Sequence, residues 1–258
     1  CLSQKHGKDL MDAIPEVAAV LGTSEFEKIA KTVNAILTNP NIKEYQVSEV
    51  VDYIQSDDVD RFHITMGATS YIKIAEGCDW HCTYCIIPTL KGKYRSRSIE
   101  SIKKEAQRLV ENGVSEIILI AQDTSNYGID TYGELALPKL LRELNTIEDL
   151  KWIRLMYTYP KTITDELIDT MAELDKVIKY LDMPLQHSHP EILKLMNRPE
   201  ADVEQLIANI IRIFIILSRK ISLNDLAFLK IQKKKAHPLI LLKTILRLKT
   251  KKNVKKSL

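Results

Sequence analysis

The stretch Tyr71-Ile72-Lys73-Ile74-Ala75-Glu76-Gly77-Cys78-Asp79-Trp80-His81-Cys82-Thr83-Tyr84-Cys85 runs from an apolar, strand-like segment directly into three cysteines spaced C-x3-C-x2-C. Three thiolates this close can hold three corners of an iron–sulfur cube, which leaves the fourth iron without a protein ligand. An open coordination position is what catalysis at a metal needs, whereas four protein ligands close the site. The same residues admit a second reading, a closed and structural Cys3His zinc site completed by His81. Zinc knuckles usually pair C-x2-C units across a longer gap, so the x3-then-x2 run suits zinc poorly. A disulfide framework fits less well still. There are 4 cysteines in 258 residues and no signal peptide is recognisable, so a reducing cytoplasm is the expected setting.

Outward from this stretch the pattern alternates strand and helix. Strand Tyr71–Ala75 leads into the cysteine loop. Ser98 is placed to cap a helix carrying Ile99, Ile102, Ala106, Leu109 and Val110 on one face and ended by Gly113. Ile117–Ala121 is an unbroken apolar strand, as expected where both faces of a parallel sheet are covered. A helix near Leu137–Leu144, a strand Trp152–Tyr157, a helix after Thr164 with Asp165 and Glu166 in its first turn, a strand Tyr180–Met183 and a helix Pro190–Met196 follow. Repeated βα units predict an α/β fold with a parallel sheet or barrel. In such folds functional residues collect at the carboxyl ends of the strands, where the cysteine loop, Gln122-Asp123, Tyr157–Pro160 and Pro184–His187 all fall.

Upstream, Gly7–Ile14 reads as a helix, Val17–Leu21 as a strand, and Phe26, Ile29, Val33 and Ile36 mark a second helix with Ser24 as its N-cap. Pro40 to Ala68 is polar and reads as an irregular linker. Downstream, the longest apolar stretch, Leu206–Leu217, is too short to span a membrane and contains Arg212. The formal net charge of +3 averages two unlike regions: Ser218–Leu258 holds 13 of the 37 Lys and Arg but one acid, Asp225, leaving 24 basic and 33 acidic side chains before it. A basic tail is ordinarily read as a nucleic-acid-binding segment.

The motifs resemble those of radical S-adenosylmethionine enzymes, and within them the methylthiotransferase branch, most narrowly the ribosomal-protein aspartate methylthiotransferases (RimO type). The resemblance is carried by Tyr71–Cys78, Arg95-Ser96-Arg97, Ile120-Ala121-Gln122-Asp123-Thr124, Tyr157-Thr158-Tyr159-Pro160, Leu181–His187 and Met196-Asn197-Arg198. The branch that modifies an adenosine in tRNA is the alternative; it typically has Gly-Gln-Asn where Ala121-Gln122-Asp123 stands here. The resemblance implies a partial (β/α) barrel of radical S-adenosylmethionine type over 69–204, preceded by the end of a small α/β domain (1–45) and a linker (46–68).

It further implies a [4Fe-4S] cluster on Cys78, Cys82 and Cys85 whose open iron binds S-adenosylmethionine, and an auxiliary cluster to which Cys1 contributes one ligand. The implied reaction abstracts hydrogen from the β-carbon of an aspartate in the twelfth small-subunit ribosomal protein and installs a methylthio group there. An electron donor such as flavodoxin or ferredoxin is implied, with no membrane and no DNA partner. Trp80 and Tyr84 are expected to keep water from the cluster, and Gln122, Asp123 and Gln186 to bind the cofactor. A structural turn is the competing account of Gln122 and Asp123. His187 reads as a structural histidine, His189 as loop, and Arg95 and Arg97 either meet an acidic target or the cofactor carboxylate or form a solvated basic turn.

Beyond about Ile210 the resemblance stops. No glycine follows Gly133, so the Gly-Phe-Pro-Gly-Glu-Thr turn of the family is missing. Back-translated and read from the third base of Asn224, Asp225–Pro238 permits a sequence ending Glu-Glu-Gly-Thr-Pro, which resembles the family's sixth-strand segment. The basic tail 205–258 is accordingly read as out of frame, its lysines a product of A-rich codons, and weak or no turnover is expected of this polypeptide. A third class of function, a basic-tailed RNA-binding or structural metal protein, is separated from the enzyme by metal content: zinc against iron with sulfide.

Overall fold

The computed structural model describes residues 1–55 and 67–198, together with isolated positions between 207 and 216. The out-of-frame reading of the tail, and residues 56–66 of the expected linker, lie outside the described residues. The first of two compact units, Cys1–Asp202, carries the main sheet and the cysteine loop.

Its elements in chain order are α1 (Leu2–Ala13), β1 (Ala19–Leu21), α2 (Ile29–Thr38), β2 (Glu44–Gln46), β3 (Thr69–Lys73), β4 (Ala75–Glu76), α3 (Ile87–Lys91), β5 (Arg95–Ser96), α4 (Ile99–Glu111), β6 (Glu116–Ile120), α5 (Ile129–Tyr132), α6 (Leu137–Asn145), β7 (Trp152–Leu155), α7 (Asp165–Glu173) and α8 (Pro190–Leu195). Three strands form the main sheet in the order β3-β6-β7, all parallel, with Ile72 opposite Leu119 and Leu119 opposite Leu155. Because side chains alternate across a strand, this register places Ser70, Ile72, Ile117, Leu119, Ile153 and Leu155 on one face, and all six are buried. Helix α4 packs against β3 and α6, and α6 against α7, bringing Ile102, Ala106 and Leu109 of α4, Leu137, Leu140, Leu141 and Leu144 of α6 and Leu167, Ile168 and Met171 of α7 into the core. The opposite face, with Tyr71, Ile118 and Arg154 in one row, is mixed and partly open. The arrangement is the expected α/β partial barrel.

Local signals set most boundaries. Ser98 accepts a hydrogen bond from Ser101 N at 3.2 Å and Thr164 one from Leu167 N at 3.1 Å, so both helices start where a side-chain oxygen satisfies an orphan N–H. Four expectations need correction. The first helix begins at Leu2, five residues before Gly7, and carries a kink at His6. Ser24 caps nothing: a short 3-10 turn, Phe26–Lys28, intervenes before α2, and the Ser24 hydroxyl is buried without a partner. The segment expected to be irregular from Pro40 contains β2, which pairs in parallel with β1 through Val20 and Tyr45. Tyr180–Met183 is not a strand; parallel pairing to β7 occurs earlier, as a single bridge between Ile153 and Val177. Asp182 is diverted by β7's own continuation, its carbonyl accepting from Thr158 N at 2.9 Å and its carboxylate from Tyr157 N at 3.0 Å. Among the described residues no helix is long and apolar enough to cross a membrane.

Candidate functional site

The cysteine loop leaves the sheet just beyond β3 and β4 and is steered by Gly77. That residue sits at φ 86, and a Cβ there would collide with the Lys93 carbonyl, so the backbone entering Cys78 passes where a side chain cannot. The Cys78 N–H then donates to Gly92 O at 3.2 Å, and Cys85 N to Cys82 O at 3.0 Å, which closes the turn. Cys78 and Cys82 are half-buried, while Cys85 is exposed at the start of the segment leading into α3. Burial pushes the Cys78 thiol up to about 11, against the Trp80 backbone N–H that bonds it, with Asp123, Cys85 and Cys82 adding to the rise. Tyr84 is also raised, by burial first and then by Cys82, to which its hydroxyl bonds.

The loop's wall is aromatic. Trp80 stacks on Tyr159, 4.6 Å between centroids and 9° from parallel, and its indole N–H donates to Asp123 Oδ2 at 2.7 Å. Asp123 is 1% exposed. Its other oxygen accepts from Ser125 Oγ at 2.8 Å and Asn126 N at 3.2 Å, and burial raises its carboxyl in spite of these bonds. Asp123 thus fixes the orientation of Trp80. Gln122 is differently placed: Nε2 donates to Glu76 Oε1 at 2.6 Å while its Oε1 is buried with no hydrogen-bond partner. Glu76 is buried, which alone would raise its carboxyl, but Lys73 at 2.6 Å, Lys91 at 3.5 Å and Gln122 hold it below the usual range.

Of the other expected residues, Gln186 is exposed at φ 62, on the loop after Asp182. His187 and His189 form a local turn, and His189, expected to be plain loop, caps α8 by accepting from Glu191 N at 3.2 Å. Arg95 reaches the Tyr53 and Lys91 carbonyls, each at 3.0 Å. Arg97 is no solvated turn: it is 3% exposed and ion-paired with buried Glu105. Cys1 is an exposed thiol at the start of α1.

Sequence reasoning assigns no role to Asn197 or Arg198, although both stand in the Met196-Asn197-Arg198 motif. Arg198 Nη1 lies 3.9 Å from Cys82 Sγ, and Asn197 Nδ2 donates to His81 O at 2.8 Å.

The spacing of Cys78, Cys82 and Cys85 fits a cube, which spreads its thiolates over separate irons.

The sequence pattern of the Radical SAM superfamily matches residues 72–216, more than half of the chain. The chain belongs to the radical SAM superfamily. Relatives of similar sequence within it are the proteins named ribosomal protein uS12 methylthiotransferase RimO. That of Thermoanaerobacter sp. (strain X514) is 46% identical over 198 residues, 77% of this chain and 45% of that protein. That of Acaryochloris marina (strain MBIC 11017) is 48% identical over 199 residues, 77% of this chain and 44% of that protein. The chain thus spans somewhat under half the length of these relatives. Among solved structures, the cobalamin-dependent S-adenosylmethionine radical enzyme OxsB aligns over 80% of this chain and 40% of its own at 10% identity, TM-score 0.46.

Proposed function

We propose that this radical SAM chain is part of a methylthiotransferase that acts on an aspartate β-carbon of ribosomal protein uS12. The observation that carries the reading is the three-thiol loop, fastened at the carboxyl end of the parallel strands beside an aromatic wall. The names of its relatives point to the substrate. Cys78, Cys82 and Cys85 would hold a [4Fe-4S] cluster, leaving one iron for S-adenosylmethionine. When bound, that pair supplies one-electron cleavage chemistry for hydrogen abstraction from an unactivated carbon.

The chain's own residues prepare the site. Trp80 and Tyr159 exclude water from one side of the loop, and low solvent exposure is one of the levers on cluster potential. Gln122, fixed on Glu76, offers its unpartnered Oε1 to a cofactor donor group. Gln186, exposed on the loop after Asp182, is assigned to the same cofactor. Cys1 is assigned to an auxiliary cluster. The domain plan proposed is 1–45, 46–68, 69–204 and 205–258. A cytoplasmic setting and a flavodoxin- or ferredoxin-like electron donor complete the proposal.

Anaerobic reconstitution with iron and sulfide tests it. Iron with acid-labile sulfide in the purified protein, lost in Cys82→Ala, supports the cluster, and stoichiometric zinc sinks it. With S-adenosylmethionine and dithionite added, mass spectrometry of uS12 and of bulk tRNA then separates the two methylthiolation substrates. Modified tRNA with unmodified uS12 would overturn the protein-substrate assignment.

A further inference from the structure

The far end of the first unit closes over the cysteine loop. Thr83 donates its N–H to Met196 O and its hydroxyl to Leu195 O, each at 3.1 Å, and Asn197, at φ 53, reaches the His81 carbonyl. The next residue, Arg198, is 6% exposed. Its Nη2 donates to Pro184 O at 3.1 Å, its guanidinium carbon lies 3.9 Å from the centroid of the Tyr159 ring, and its Nη1 points at Cys82 Sγ. Tyr159 is itself pinned by Trp80, and Trp80 by Asp123. The guanidinium is therefore the end of a column, Asp123–Trp80–Tyr159–Arg198, that stops at one sulfur of three.

Resting on the reading that the three cysteines hold a cluster, we propose that Arg198 is a positioning residue that sets the reduction potential through Cys82. When a one-electron donor reduces the cluster, one negative charge is added to it and its ligand sulfurs. A fixed cation with an N–H directed at a ligand sulfur stabilises that added charge, and hydrogen bonds to sulfur and net charge are established determinants of cluster potential. Planarity matters as well as charge, because Arg198 must stack on Tyr159 and fork between Pro184 O and Cys82 Sγ at once, which an ammonium cannot do. Asn197 supplies the backbone geometry that delivers Arg198, since its left-handed conformation turns the chain off the end of α8.

The test compares wild-type protein with Arg198→Gln and Arg198→Lys, each reconstituted with iron and sulfide. Iron and sulfide are counted, and the cluster is titrated with dithionite under electron paramagnetic resonance. Near-ultraviolet circular dichroism of the metal-free proteins reports whether the Trp80–Tyr159 stack survives.

The expected result is full iron loading in all three. In Arg198→Gln the reduction equilibrium falls about tenfold, which for one electron is about 59 mV to the negative side. Arg198→Lys, which keeps the charge, lies between it and the wild type. Unchanged potential in a fully loaded Arg198→Gln overturns the proposal. So does equal loss of iron from both variants, which marks Arg198 as a brace alone. Wild-type protein that takes up no iron removes the cluster reading beneath it, and the metal count shows that separately from any shift in potential.

Discussion

Helices α2 and α6 carry similar apolar stripes and meet opposite fates. In α6, Leu137, Leu140, Leu141 and Leu144 are all fully buried, with α4 and α7 packed against the helix. Along the turn before α2 and into that helix, Phe26 is 49%, Ile29 52% and Val33 44% exposed, and Ile36 is half-buried. Both follow a strand of a parallel sheet, and both show helical spacing of apolar residues. Periodicity thus reports that a face is suited to burial; it does not report that a partner is present. Fully burying one such side chain is worth about 1.5–3 kcal/mol, so the barrel unit is stabilised by its helices in a way that the β1–β2 sheet, within the described residues, is not.

Substitutions on the two sides can break or sharpen that contrast. The largest effect is expected at the barrel's deeply buried ion pair. Arg97→Met removes the cation that faces buried Glu105 beneath α4, at a cost of about 3–5 kcal/mol, read as a lowered urea midpoint. Leu141→Ala follows, at about 2–5 kcal/mol from lost burial plus the cavity left behind. Val33→Ala is expected to stay within about 0.5 kcal/mol, the range of surface changes. Were Val33→Ala to cost as much as Leu141→Ala in the same denaturation series, the α2 stripe would be covered in solution and the contrast would collapse.

How much of the molecule is legible in its sequence depends on the range of each signal. Helix starts at Ser98 and Thr164 are readable because cap and capped N–H are three residues apart. The cysteine loop is readable for the same reason, its three cysteines lying within eight consecutive positions. Glu44-Tyr45-Gln46 has no strand pattern of its own and is ordered by its neighbour β1, so it resembles linker. Tyr180–Met183 has strand-like composition, but Asp182 is claimed by Thr158 and Tyr157, which is a tertiary event. Arg97 looks solvated because its partner Glu105 is on the following helix at a spacing that no helical pairing rule marks. Arg198 stands within a recognisable motif, yet nothing local ties it to Cys82; the two are 116 positions apart.

That separation has a consequence in time. A chain emerging at about 5–20 residues per second needs roughly 6–23 s to pass from the cysteine loop to its fastening residues, 116 positions on. During that interval the three thiols are on a loop whose outer clasp has not yet been made. Contacts this distant in sequence are among the last to form, so the Thr83, Asn197 and Arg198 contacts that fasten the cysteine loop are made late in folding.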